Sequence, residues 1–422
     1  MQSLYTQSPR ATQHYSGLSK VSLESATRVE QPIPSQRGSH LRDGLQEMGQ
    51  HAEETRSADQ TTGALPFWGE RSSGSGRADG CAQWDDRSQP APFGIPFDCP
   101  VAPSGYQWWY LDAISEEGHL ALTFILFIGS VFSPEYFRAR QKAAQRGEVI
   151  DPMGFCAINL SIKALNREGV AQLGQRELWC FNEVSPTTHL IERAPQEMRI
   201  GQSELSQGVD HLTVQLNERT QPFFQRMTPQ ARGRLHFIPS ARPNASIPLN
   251  KSDRHRWYGL APHGRIQVEL SSPSLRFEGN AYHDGNAGRE PIEDGFKYWT
   301  WRREERPEGT AVLYDLVERD GSQNANSFLF TRGGEVAAYH APQQAHLSRG
   351  LWGIERTTRA PEKTPVKLHA TLVDSPFYTR DILEIGEEGN RSFSVHEALD
   401  LDRLKRRWVR FLMGFKIRQT HH

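Results

Sequence analysis

From about residue 106 onward, apolar and polar positions alternate with a period of two in one segment after another. Residues 265–270 read Arg-Ile-Gln-Val-Glu-Leu, and 274–277 repeat the theme as Ser-Leu-Arg-Phe before Gly279. Such alternation sets one face of a strand on a core and the other toward water. Residues 119–128 are instead almost unbroken in β-branched, aliphatic and aromatic side chains, and 310–317 and 326–330 flank Asp320-Gly321, a turn-forming pair. Residues 366–373 alternate again. Helical spacing is confined to 134–145 and 401–415. Many short strands punctuated by Gly and Pro, without strand-helix-strand spacing, predict sandwiches or barrels rather than a nucleotide-binding sheet. The expected fold is mainly β, with two antiparallel β-barrel domains and a C-terminal amphipathic helix.

Composition changes this picture at the two ends. Residues 1–92 are rich in Ser, Gln, Gly and charge, include "RSSGSGR", and are expected to form a disordered tail because they cannot offset their ordering entropy. The proline-dense stretch "QPAPFGIPFDCPVAPSG" then leads to Tyr106, Trp108, Trp109 and Tyr110. A chain of 422 residues has room for two folded domains, placed at 93–290 and 291–422 with the boundary near Pro291. At the far end, Leu401, Leu404, Trp408, Phe411, Leu412 and Phe415 share one side of the candidate helix, and seven Lys or Arg lie between Arg403 and Arg418. That pattern fits an in-plane anchor on anionic lipid, or a helix packed on a barrel with a solvated basic face.

The charges, 49 Lys plus Arg against 50 Asp plus Glu, give no global field, so no nucleic-acid partner is expected. Cys81, Cys99, Cys156 and Cys180 contain no C-x-x-C pair and read as free thiols in a reducing compartment. No charged-apolar-small leader opens the chain. The longest apolar run, 120–132, falls short of the roughly 18 residues of a spanning helix, which leaves a soluble or peripheral protein.

The most unusual polar cluster is split between "DRHRWYGLAP", with His255 and Trp257, and "GNAYHDGNAGREPIED", with Tyr282, His283, Asp284 and Asn286. If 265–270 and 274–277 pair as neighbouring strands, their outer ends converge and bring His255 and Trp257 near Tyr282 and Asp284. A desolvated Asp among aromatics stays protonated and can serve as a general acid, with His255 as proton acceptor or water-orienting partner. The competing reading makes Asp284-Gly285 an ordinary turn and the aromatics a core. A metal site from His255, His263, His283 and Asp284 matches no short zinc signature. Gly129-Ser130 lacks the setting of a nucleophile elbow, no Cys has an obvious His partner, and no phosphate-cradling loop is present, so neither metal nor cofactor is expected. Aromatic residues crowd 108–155, a character suited to a long apolar ligand.

The phrases "GYQWWYLDAISEEGHLALTFILFIGSVFSPEY", "HRWYGLAP", "YHDGNAGREPIEDGFKYWTW", "GTAVLYDL", "LVDSPFYTR" and "VHEALDLDRL" resemble the carotenoid 1,2-hydratases, or hydroxyneurosporene synthases, of phototrophic bacteria. The resemblance runs from about Tyr106 to the C-terminus and is not extended to 1–90. It implies two lipocalin-related barrels, in a superfamily shared with fungal polyene cyclases, and cofactor-free addition of water across the terminal C1–C2 bond of neurosporene or lycopene. It also implies Asp284, His255, Trp257 and Tyr282 as catalytic. Asp284 would donate the proton, the Trp257 and Tyr282 faces would stabilise the tertiary cation, and His255 would position or deprotonate water. A carotenoid carrier, or a cyclase or isomerase on the same scaffold, are the alternatives. Because such a substrate resides in a bilayer, a peripheral location on the cytoplasmic side of the inner membrane is expected, and truncation after Asp400 should weaken lipid binding.

Overall fold

The alternating and β-branched segments form strands, almost all antiparallel to their neighbours. The computed structural model of the protein describes residues 95–184, 191–220, 230–243, 245–387 and 391–420, and the tail expected over 1–92 lies outside them. The segments at 265–270 and 274–277 belong to one long hairpin, His255–Ser272 with Ser274–Gly288. Leu120–Ile128, Gly309–Glu318, Gln323–Thr331 and Val366–Asp374 are strands as their composition predicts, and the helix Pro134–Gln145 forms where its spacing does. Its start is fixed locally: the Ser133 hydroxyl accepts from the Tyr136 N–H, and proline occupies the first turn.

Among the described residues the first sheet has thirteen strands, with Tyr106–Ser115 between Leu120–Ile128 and Ser274–Gly288 near its middle. It curls on itself, so that Asn182 on Glu177–Val184 donates to Glu218 on Leu212–Arg219 at 2.6 Å. The second sheet has seven strands, with Phe296–Arg306 at its centre between Gly309–Glu318 and Ser392–Asp400. The last strand, Arg418–Thr420, returns to the first sheet and pairs in parallel with Glu177–Val184.

Strand Tyr106–Ser115 explains why "YQWWYLDAIS" does not alternate. Trp109, Leu111 and Ala113 point into the core inside the curled sheet, with Phe124, Ile158, Leu235 and Phe237. Tyr106, Trp108 and Tyr110 point the other way, into a second core shared with Trp299, Trp301, Val312 and Tyr314 of the second sheet. With both faces covered, apolar residues are favoured at nearly every position, as in strands buried on both sides generally.

The C-terminal segment departs from expectation. Instead of one amphipathic helix over 401–415, two short helices form, Leu401–Leu404 and Arg407–Met413, broken at extended Arg406. Leu401, Leu404, Val409 and Met413 are buried, whereas Trp408, Phe411, Leu412 and Phe415 are exposed, so the apolar residues serve two surfaces that one straight helix could not present. Arg410 also turns inward: it donates to the Val131 carbonyl at 3.0 Å and, with Arg140, faces buried Glu293. The truncation after Asp400 would remove core and is no clean test of lipid binding. The cysteine reading is likewise corrected: Cys156 and Cys180 are free and buried, but Cys99 is disulfide-bonded.

Burial pushes the Glu293 carboxyl up, but Arg140 and Arg410 pull it further down, and the net position lies below the ordinary value. Removing that anion strands two buried guanidinium groups. We expect Glu293→Ala to cost about 3–5 kcal/mol of stability, measured by denaturant unfolding; a change within error would show that the triad does not tie the terminal helix to Pro134–Gln145.

Candidate active site

Strand register builds the site as a lattice. Across three adjacent strands of the first sheet, Tyr106 pairs with Gly288 and Gly288 with His255; Trp108 pairs with Asn286 and Asn286 with Trp257; Tyr110 pairs with Asp284; Asp112 pairs with Tyr282. Side chains two residues apart share a face, so all of these point toward the second sheet. Register shifts between Tyr258 and Gly264 bend the His255 strand beside the site. Asp284-Gly285 is therefore strand, not turn.

Asp284 is buried in aromatic surroundings. Its Oδ2 accepts from Trp257 Nε1 at 2.8 Å and from the Tyr282 hydroxyl at 2.7 Å. Burial raises its pKa to about 8, against the pull of those two donors and with a push from Glu397 and Asp112. A carboxyl whose Oδ2 already accepts two hydrogen bonds carries its proton on Oδ1. Around it stand Trp301, 5.3 Å from the Tyr282 ring, and Tyr314 and Phe330, each 5.6 Å from the Trp257 ring. Asn286, one row along, is buried, and its side-chain amide faces the Tyr314 hydroxyl.

Three of the four sequence candidates, Trp257, Tyr282 and Asp284, therefore converge. His255 lies two rows from Asp284, on the order of 13 Å along the strand. Its Nδ1 meets the Tyr106 hydroxyl at 2.9 Å and its Nε2 meets Glu290 at 3.2 Å. Burial lowers its pKa against the opposing Glu290, which favours the neutral ring. His283 faces the opposite core, pairs through Nδ1 with the Tyr110 carbonyl at 2.8 Å, and is lowered to about 4 by burial. His263 approaches Glu305 and Arg332. Among the described residues no His, Cys, Asp and Glu cluster could hold a metal.

The second sheet supplies what sequence reasoning missed. Asp112 is paired with Arg303, and with Arg380 at 3.2 Å, while the Tyr110 hydroxyl donates to Asp112 at 2.7 Å and lies 3.4 Å from the Glu397 carboxyl. The Arg303 guanidinium also lies 5.6 Å from the Tyr282 ring centroid. The available signal was period two in "FKYWTWRREER", which puts Arg303 on the same face as Trp299 and Trp301.

Comparison with known proteins decides what this constellation belongs to. The carotenoid hydratase CrtC family matches residues 124–422. The chain belongs to that family. The acyclic carotenoid 1,2-hydratase of Thiocapsa roseopersicina is 35% identical over 395 residues, 93% of this chain and 92% of that one. That of Rubrivivax gelatinosus is 36% identical over 322 residues, covering 76% and 75%. That of Cereibacter sphaeroides is 29% identical over 279 residues, covering 66% and 91%. The Thiocapsa span cannot be accommodated without residues before position 93, so the likeness extends into the N-terminal tail, further than its motifs suggested.

Two cavities approach the aromatic cluster of this carotenoid hydratase from different sides. One, of about 480 Å³, is mostly apolar and is lined by Ile125, Phe132, Phe181, Tyr378 and Arg380. Tyr110 pairs in register with Ile125 on one side and Asp284 on the other, so its ring stands between this cavity and the carboxyl. The other, of about 980 Å³, is walled by charged residues including Glu116, Glu305 and Arg303.

Gly288 is what lets Tyr106 reach His255, since a Cβ there would sit 2.2 Å from the Tyr106 ring and 2.9 Å from His255 Nδ1. We expect Gly288→Ala to lower stability by about 1–3 kcal/mol in thermal unfolding. Unchanged stability would mean the two rings have room to part.

Proposed function

We propose that this hydratase adds water across the terminal C1–C2 double bond of an acyclic carotenoid, neurosporene or lycopene, to give a tertiary alcohol without a cofactor. Asp284 carries the reading: an enclosed carboxyl held protonated up to about pH 8 is a general acid for an apolar substrate. Its named relatives act as acyclic carotenoid 1,2-hydratases. In this reading each sheet is a lipocalin-related barrel, and the two share the aromatic wall that holds the site.

Asp284 Oδ1 gives its proton to C2, leaving a tertiary cation at C1. The Trp257 and Tyr282 faces stabilise that cation, each by about 2 kcal/mol when desolvated. Water held by the Asn286 amide attacks C1, and its released proton returns to the Asp284 carboxylate, which is thereby reset. Both ring nitrogens of His255 are engaged, so it acts by fixing Tyr106, which stacks on Trp108 with centroids 5.0 Å apart. The apolar cavity suits the polyene end and the charged cavity suits water, with Tyr110 rotating to admit the substrate. Because that substrate dissolves in bilayers, the enzyme works as a peripheral protein, on the cytoplasmic side of the inner membrane.

Three outcomes separate the readings when purified protein meets lycopene in liposomes in oxygen-18 water. A product heavier by one labelled water supports hydration; bound but unchanged pigment points to a carrier; an isomer of equal mass points to a cyclase or isomerase.

The acid assignment has its own pH signature. Turnover holds below about pH 8 and falls above it as Asp284 ionises. The unfolded carboxyl ionises near 3.8 and the folded one near 8, so folding takes up a proton in between and this group's contribution to stability falls as pH rises through that window. Asp284→Asn removes that penalty. We expect turnover about 10²–10⁴-fold lower, and a Tm that increasingly exceeds wild type between about pH 4 and pH 8. Near-full turnover of the folded variant would eliminate Asp284 as the acid.

A further inference from the structure

Among the described residues, exposed large hydrophobics concentrate where two distant segments meet. Leu351 and Trp352 lie beside the helix Arg407–Met413, with Trp352 and Trp408 centroids 6.2 Å apart and Phe411 and Phe415 5.1 Å apart. Leu351 is 95% exposed, Phe411 68% and Phe415 60%. The contact between the segments is fixed by Arg403, which donates to the carbonyls of Trp352 and Gly353.

This patch is also the rim of the apolar cavity. Trp352, Leu412 and Phe415 line the cavity from the outside, Val409 and Met413 of the same helix line it from within, and Arg380 marks its inner end. Cations surround the rim: Arg406 and Arg407 are exposed with no carboxylate partner among the described residues, and Lys416 lies 5.5 Å from the Trp179 ring. The acids around the rim are engaged, Asp402 by Arg319, Asp294 by Lys405, Asp400 by Arg403 and, in the cavity lining, Asp374 by Arg356 and Glu177 by the Ser161 hydroxyl. Exposed Trp and Phe beside unpaired Arg is the chemistry of insertion at an anionic headgroup boundary.

We propose that this face docks on an anionic lipid bilayer and that the cavity mouth within it is the portal through which a polyene passes from lipid toward Tyr110. Docking rests on the patch alone, and the cargo rests on the hydratase reading above. The portal is built by the break at Arg406, which lets Val409 and Met413 close the cavity while Trp408, Phe411 and Leu412 face outward.

The test compares wild type with Leu351→Ser/Phe411→Ser, two exposed positions that do not line the cavity. Sedimentation uses vesicles of phosphatidylcholine with and without phosphatidylglycerol, and turnover is measured with lycopene in those vesicles and in detergent micelles. We expect binding to the anionic vesicles to fall about tenfold or more, with turnover from vesicles falling in parallel and turnover from micelles unchanged. Equal vesicle binding by both proteins overturns the docking face. Lost binding with undiminished turnover from vesicles overturns the portal. If wild type ignores vesicles but self-associates in a way the variant abolishes, the face is an interface between copies and the proposal fails. Absence of product in every format would defeat the hydratase reading while leaving the sedimentation result to stand or fall by itself.

Discussion

The constraint on which the rest depends is that three adjacent strands of the first sheet are, over the stretch that carries the site, buried on both faces. One face closes a core inside the curl, and the other lies against the second sheet. A residue on the shared face is thereby removed from water on every side, whatever its chemistry. Asp284 occupies such a position, and no cation faces it directly; its two partners are an indole N–H and a phenol. The ordinary outcome of burying an unpaired carboxyl is that it keeps its proton, because ionisation would cost more than protonation. The neutral carboxyl is thus a product of sheet packing, and its raised pKa depends on the aromatic wall staying dry.

The same face holds a second solution to the same problem only one row away. Asp112 is as buried as Asp284, but Arg303 and Arg380 are brought to it from the second sheet. Two carboxyls in adjacent rows therefore have opposite tasks. Asp112 anchors cations that cross between the sheets and fixes the Tyr110 hydroxyl, whereas Asp284 is left to hydrogen-bond donors that orient it without neutralising it. Glu397 and Asp112 both push the Asp284 carboxyl up, and both also raise the Tyr110 hydroxyl beside it.

Much of this was legible in the chain because period two is a local signal. The hairpin over 255–288 and the convergence of Trp257, Tyr282 and Asp284 follow from pairing two alternating segments. What stayed hidden depends on facts that are not local. Register decides that His255 is opposite Gly288 and not beside Asp284, and bulges after Tyr258 shift that register in a way composition does not record. Sheet-on-sheet packing decides that Arg303, Arg380 and Glu397 belong to the site although they lie far along the chain. The terminal helix misled for a related reason: its apolar residues divide between a core and an exposed rim, and helical periodicity alone cannot tell one stripe serving two surfaces from one stripe serving one.

These features together explain why a hydration site would be placed between two sheets and not inside either. The interior of the first sheet is filled by Trp109, Phe124, Phe237 and their neighbours, and its buried acid, Glu218, is taken up by Asn182 and Ser203 with no aromatic pair donating to it. The interface has aromatic faces from both sides, a carboxyl kept neutral by desolvation, and different surroundings at its two approaches. An apolar cavity reaches Ile125 and Arg380, the neighbours of Tyr110, and a charged one reaches Arg303. A reaction joining a hydrocarbon to water needs both reactants to meet while bulk solvent stays out, since a wet site would lower the pKa of the acid and capture the cation without selectivity. In the proposed reading Tyr110 and Arg303 are the two points where that exclusion is made, and both are held by Asp112. On that reading the buried ion cluster that joins the sheets also governs access to Asp284.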